Sequence, residues 1–147
     1  ERGCKMSEHW QWSLLTETTQ IPKQATLHSA GFDLYADEQT VIPANSRSWI
    51  STGIAIEIPV GYVGQIWPRS GLAGKGLDTS AGVVDADYRG EVKVLLVNTT
   101  IDNIVIEKGQ RIAQIIFVKI AENPPFVHVD SLTGTDRGNR GFGHSGI

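Results

Sequence analysis

The last eleven residues of the chain, 137–147, combine two arginines, four glycines and one aromatic, Phe142. Guanidinium forks match phosphate oxygens. A ring set between glycines can lie flat on a nucleobase. Glycine lets the backbone come close to a ligand. The segment has too little apolar surface to hold itself in place. It reads either as an arm that folds over a phosphorylated nucleoside or as a disordered, solubilising tail, and its composition leaves both open.

Four further clusters could serve the same ligand. Pro68-Arg69-Ser70-Gly71-Leu72-Ala73 follows an apolar stretch. Its backbone N–H groups, the Ser70 hydroxyl and the Arg69 fork could cradle phosphate; the plainer reading is a helix start with Arg69 in an ion pair. In residues 82–92, Asp85 and Asp87 stand two apart and Tyr88 follows. If extended, the segment puts both acids on one face, one as a base and the other paired to a cation; the plainer reading is a hairpin with solvated charges. Asp33 lies in the otherwise apolar Gly31-Phe32-Asp33-Leu34-Tyr35-Ala36, where an acid must be paired. Gly109-Gln110-Arg111-Ile112-Ala113-Gln114 places two amides and an arginine at a strand start.

Other chemistries find little support. Gly74-Lys75 is followed by Gly76, so the phosphate loop of nucleotide triphosphatases is missing. His9, His28, His128 and His144 are scattered and Cys4 is alone, which argues against a protein-ligated zinc. Asn98-Thr99-Thr100 matches a glycosylation sequon but is taken as a polar turn. The net charge of −3 disfavours a general nucleic-acid binder. No apolar run approaches membrane-spanning length. No charged-then-apolar leader is seen, and a lone cysteine suits a reducing compartment. An intracellular protein, cytoplasmic or nuclear, is therefore expected.

The elements that must position these clusters are strands. Ile50, Thr52, Ile54, Ile56 and Ile58 recur every second residue, the pattern of a strand with one buried face. Val92, Val94 and Leu96 alternate likewise, with Lys93 opposite. Residues 112–118 form a nearly continuous apolar run, as in a strand covered on both faces. Residues 62–67, 104–106 and 126–129 are shorter candidates. Residues 70–75 suit one or two helical turns. Turn signals at 42–45, 59–61, 98–103 and 107–109 recur at sandwich or barrel spacing. The expected layout is an N-terminal extension over 1–11, whose first residues are either foreign to the protein or an upstream extension of it, then a β-domain over 12–130. A glycine-rich arm over 131–147, mobile on its own, completes it.

Taken in order, the clusters resemble the five motifs of the trimeric deoxyuridine triphosphatase (dUTPase) family. They are Ala30-Gly31-Phe32-Asp33-Leu34-Tyr35-Ala36, the 68–73 and 81–92 segments, 109–114, and Arg137-Gly138-Asn139-Arg140-Gly141-Phe142-Gly143. The resemblance covers most of the chain and implies an all-β, jelly-roll-like barrel or sandwich. It implies a homotrimer with shared active sites, where the arm closes a site built by its neighbours. The implied reaction is hydrolysis of dUTP to dUMP and pyrophosphate by water attack at the α-phosphorus. That limits uracil in DNA and supplies dUMP for thymidylate synthesis.

Carried over by residue, Asp85 resembles the carboxylate that activates the water. Arg69, Ser70 and Gly71 resemble the phosphate cradle, and Gln114 the amide at the α-phosphate. Gly82 and Val83 lie in the hairpin expected to read uracil and to exclude a 5-methyl group, with Tyr88 against the deoxyribose. Arg137 resembles the arm's phosphate clamp, Phe142 the ring over uracil, with Gly143 and His144 beside it. Magnesium is implied as cofactor, held mainly by the three phosphates, with Asp33 in its outer shell through water.

The family pattern is broken twice. Gln110 stands where an Asp is common, which puts a local ion pair in doubt. His144 stands where a hydroxyl is usual, so a phosphate contact there could become pH-dependent. A dCTP deaminase of the same fold is a rival; it would need a glutamate in the base pocket, and 82–88 has none. A non-catalytic nucleotide- or RNA-interaction module is a second rival. Neither stable nucleic-acid binding nor membrane association is expected.

Overall fold

The computed structural model describes residues 10–141. Among them, eleven strands and one short helix follow one another: β1 (Gln11–Leu14), β2 (Lys23–Gln24), β3 (Phe32–Tyr35), β4 (Thr40–Ile42), β5 (Ser46–Glu57), β6 (Tyr62–Trp67), α1 (Ser70–Ala73), β7 (Leu77–Ser80), β8 (Val83–Val84), β9 (Glu91–Asn98), β10 (Ile104–Ile106) and β11 (Arg111–Lys119). One sheet has the order β1-β5-β9-β7 and another β2-β3-β11-β6-β8, while β4 and β10 form a separate pair. All pairings are antiparallel. The result is an all-β, jelly-roll-like sandwich around one apolar cluster of Ile, Leu and Val.

The long strand β5 carries the expected alternation. Ile50, Thr52, Ile54, Ile56 and Ile58 are all buried. They stay on one side although the ladder to β9 is interrupted: Ser51 opposes Lys93 and Ala55 opposes Glu91. Four steps of β5 thus match two steps of β9. Because the surplus is two residues, the inside–outside alternation survives it. Gly53 sits in this bulge with φ +67°, which favours glycine. Its N–H donates to Glu91 Oε1 at 2.9 Å.

Strand β11 shows the opposite case. Arg111 opposes Tyr35 while Ala113 opposes Leu34, so Ile112 is a single extra residue. Ile112 and Ala113 are consecutive and both buried. A one-residue bulge changes which neighbours face inward. The run at 112–118 is therefore half explained by a two-sided environment and half by this bulge, since Val118 is exposed at the strand's end.

Asn98 bolts three segments together. It is buried. Its Nδ2 donates to the carbonyls of Ile42, Pro43 and Asp102 at 3.1, 3.1 and 2.8 Å. Its Oδ1 accepts from the Thr100 N–H and hydroxyl. The sequon is a structural turn, as its polarity suggested.

Three expectations need correction. Residues 126–129 form no strand, and Phe126 and Val127 are 94% and 78% exposed; among the described residues no strand pairs with them. Residues 82–92 form no hairpin: β8 pairs with β6, whereas β9 pairs with β5 and β7, so the chain crosses between sheets. Residues 85–88 are a turn rather than an extended segment, closed by the Tyr88 N–H donating to the Asp85 carbonyl at 3.1 Å. At the N-terminus, Gln11 opposes Glu57 in the sheet and Trp10 packs on Tyr62 and Phe117. Among the described residues no helix is long and apolar enough to cross a membrane.

Replacing Asn98 by Ala removes the partner of three carbonyls, that of buried Ile42 among them, and of the Thr100 N–H. It is expected to cost at least about 2 kcal/mol. Urea unfolding at matched protein concentration checks this; a loss under about 0.5 kcal/mol contradicts the assigned role.

Candidate active site

Two groups of polar residues stand out, one on the five-stranded sheet and one between its β8 end and strands β5 and β9 of the other sheet. The first gathers at the row where Gln114 of β11 faces Asp33 of β3 on one side and Trp67 of β6 on the other. Asp33 is the paired acid that its apolar strand demanded. Its Oδ1 lies 3.2 Å from Arg69 Nε, and its Oδ2 lies 3.5 Å from Arg111 Nη1. Its side chain is only 15% exposed, so the two cations compensate a largely desolvated charge. The bulge at Ile112 sets where Arg111 leaves the strand.

Gln114 positions the next turn. Its Nε2 donates to the Pro68 carbonyl at 3.1 Å. Pro68 ends β6, Arg69 remains extended, and α1 begins at Ser70. The helix is pinned by Leu72, which packs on the core. Ser70 makes no side-chain cap, and the Ser70 and Gly71 N–H groups have no backbone partner among those described. A Cβ added at Gly71 would meet nothing within 4 Å. The reason for glycine there therefore lies outside the chain's own packing. Gly31 is the reverse: an added Cβ would run into the Gln114 carboxamide. In the same corner Gln110 accepts the Glu107 N–H at 3.0 Å through its Oε1. An amide closes the turn where a carboxylate is usual.

The second group lines a groove of about 660 Å³. Gly82, Val83, Asp85 and Tyr88 all border it, together with Trp49, Glu91 and Lys93. Asp85 and Val83 are exposed. Gly82 is forced by contact: an added Cβ would lie 2.7 Å from the Ile66 carbonyl oxygen. The Ile66 N–H in turn donates to the Gly82 carbonyl at 2.7 Å. Tyr88 donates its hydroxyl to the Glu91 carbonyl at 2.8 Å, and its ring packs where a Gly90 side chain would stand.

Within one chain Asp85 stands apart from the cationic corner, although Gly82, at the near end of the groove, is bonded to Ile66 beside Trp67. Val84 opposes Gly64, three residues back along β6 from Trp67. At roughly 3.3 Å per residue this is about 10 Å, and Asp85 lies beyond Val84, on the far side. Arg137 joins neither group: its Nε donates to the Arg140 carbonyl at 2.9 Å, within the arm. Among the described residues, no hydrogen bond or ion pair ties residues 131–141 to the β-domain. Phe142, Gly143 and His144 lie outside the described residues.

The sequence pattern of the dUTPase family matches residues 17–146. The chain is a member of the dUTPase family. A probable deoxyuridine 5'-triphosphate nucleotidohydrolase of Schizosaccharomyces pombe is 46% identical over 134 residues, spanning 90% of this chain and 95% of that protein. The corresponding enzyme of Paramecium bursaria Chlorella virus 1 is 47% identical, over 90% of this chain and 94% of its own. Among solved structures, the dUTPase of Staphylococcus bacteriophage 80alpha with dUpNHpp aligns with a TM-score of 0.89 and 28% identity, covering 96% of this chain and all of that one. A dUTPase variant from phage phi11 of S. aureus, described with a structural Mg(II) ion, aligns with a TM-score of 0.77 and 25% identity, over 84% and 97% of the two chains.

Several residues of this dUTPase groove escaped the sequence reading. Trp49 projects from the face of β5 opposite Ile50; an aromatic flanked on its own face by Arg47 and Ser51 was the available signal. Glu91 and Lys93 looked like solvated strand residues, yet both border the groove and pair at 3.6 Å. Gly90 was one glycine among many, and only the Tyr88 ring explains it.

Among the described residues, no three His, Cys, Asp or Glu side chains gather as a metal site. Asp33 retains acceptor lone pairs beyond its two guanidinium contacts, so the donor set fits a magnesium ion met through water rather than directly. Removing the carboxylate leaves Arg69 and Arg111 facing each other. Asp33→Ala is expected to lose about 1–3 kcal/mol at low salt, allowing for partial exposure. The deficit should shrink in 1 M NaCl as the residual repulsion is screened. Paired melts at the two salt concentrations test this, and a neutral substitution contradicts it.

Proposed function

We propose that the chain hydrolyses dUTP to dUMP and pyrophosphate, in a homotrimer whose active sites are each built by more than one copy. The observation that carries the shared site is the separation along β6. Asp85 stands beyond the Gly64 level at one end, and Arg69, Ser70 and Gln114 at the Trp67 end. A triphosphate reaching both is accommodated when the groove of one copy faces the cationic corner of a neighbour. The open space over Gly71 and the exposed Phe126, Val127, Val129 and Leu132 support such packing.

Each residue then has a task. Asp85, exposed at the groove, takes the proton of the attacking water. Arg69, held by Asp33 at its Nε and by the Arg111 carbonyl, which accepts from its Nη1 at 3.4 Å, presents its Nη2 with the Ser70 hydroxyl to phosphate oxygens. Gln114 reaches the α-phosphate through its amide. Tyr88 has spent its hydroxyl on Glu91 and offers only its ring to the sugar. A 2′-hydroxyl there would lose its water partners, a penalty of about 1–3 kcal/mol. The Gly82 backbone, clamped to Ile66, cannot yield to a 5-methyl group. Arg137 of the arm, with Phe142 beyond the described residues, covers the ligand and excludes water. When bound, magnesium would neutralise the phosphates, and Asp33 could meet its water shell. Displacement of this kind depends on positioning and cations more than on covalent help.

The deaminase reading requires a glutamate free to act on the base. Glu91 borders the groove, but one oxygen accepts the Gly53 N–H and the other pairs with Lys93. Pyrophosphate release from dUTP, compared with dTTP, dCTP and UTP, separates the two; ammonia from dCTP would overturn the hydrolase.

Asp85→Asn should lower kcat by about 10²–10⁴-fold while dUTP still binds. More than a tenth of the parent rate would remove Asp85 from this role. Deleting residues 137–147 should leave the thermal midpoint nearly unchanged and abolish most turnover. Inactive Asp85→Asn chains and inactive truncated chains, refolded together, should regain activity. Verified mixed oligomers that stay inactive would mean that each site is served by one chain.

A further inference from the structure

The turn bearing Asp85 is exposed and belongs to no ladder, yet something must hold it still. Arg89 is the side chain in contact with it. Its Nη1 donates to the carbonyls of Ala86 at 2.7 Å and Tyr88 at 3.2 Å. Its Nη2 lies 3.2 Å from Glu57 Oε1. One guanidinium thereby ties the turn to the end of β5, a strand that the core fixes along its length.

The direction of Arg89 matters. It does not border the large groove. It lines a separate hollow of about 170 Å³ with Gln11, Trp12, Ser13 and Glu57. Glu57 itself opposes Gln11 of β1. Arg89 therefore stands behind the turn, away from the nucleoside. The ion pair is about half exposed on both sides, and such pairs contribute little to stability. What remains is geometry: a planar fork that fixes two carbonyls on either side of Asp87.

We propose that Arg89 is a positioning residue for dUTP hydrolysis, setting where the Asp85 carboxylate and the Tyr88 ring stand in the groove. The proposal rests on Asp85 activating the water. A displacement on the order of 1 Å in such a group can cost about 10²-fold in rate. Lysine keeps the charge at 89 but cannot engage both carbonyls and Glu57 in one plane.

The test uses the full-length chain with dUTP and magnesium, and compares Arg89→Lys, Arg89→Met, Glu57→Gln and the double variant Glu57→Gln/Arg89→Met. Expected losses in kcat are about tenfold for Arg89→Lys, 30- to 100-fold for Arg89→Met and about threefold for Glu57→Gln, with KM within about threefold. The double variant should match Arg89→Met alone, because Glu57 acts through Arg89. The pH dependence of kcat should keep its shape under a lower plateau. An unchanged kcat in Arg89→Met overturns the proposal. A raised KM with parental kcat makes Arg89 a substrate contact and also overturns it. A displaced acid limb means that Arg89 acts by charge on Asp85, again against the proposal. Should Arg89→Met fail to fold, Arg89→Lys and Glu57→Gln carry the same expectations. Asp85→Asn runs alongside: if it keeps turnover, the assignment of Asp85 has failed, whatever the Arg89 variants do.

Discussion

Strand β6 acts as a ruler across this molecule. Its hydrogen-bonded neighbours are β11 and β8, and their registers dictate which polar groups stand at each end. The Arg69 turn leaves from the Trp67 end, and Asp85 emerges near the Gly64 end. Strand register, rather than loop flexibility, therefore decides how far apart one copy holds the two.

The cationic corner shows how an acidic chain still prepares for an anion. The net charge is −3, yet Arg69 and Arg111 converge on one carboxylate. Asp33 does not cancel them fully: two guanidinium groups meet a single negative charge, leaving a local surplus. It also fixes the angle of Arg69, which leaves that guanidinium little side-chain freedom. Gln114 and Gly31 extend this order into the backbone of the following turn.

Local pattern made much of the fold legible. The alternation from Ile50 to Ile58 identified β5, and it did so because the bulge at Gly53 adds an even number of residues. Val92, Val94 and Leu96 identified β9 in the same way. The need of Asp33 for a partner could be read from its apolar neighbours, but its partners could not, since Arg111 lies 78 residues away. Turn chemistry misled at 82–92, because a turn that returns to its own sheet and one that crosses to the other use the same small and acidic residues. Residues 126–129 have strand-like side chains and no partner strand among the described residues, and periodicity cannot report on that. The resemblance between motifs pointed to Asp85, Arg69 and Tyr88, whereas Arg89, Gly90 and Trp49 became visible only through what they touch.

The paired surplus in β5 has a consequence for how such a strand can change over descent. A length change of one residue would turn Ile54, Ile56 and Ile58 outward together and remove three isoleucines from the core in a single step. A change of two leaves every downstream methyl where it was and costs only a local loop, here stabilised by Gly53 and the Glu91 carboxylate. Related chains should therefore differ in length at this point by even numbers, as a parity rule imposed by the pleat.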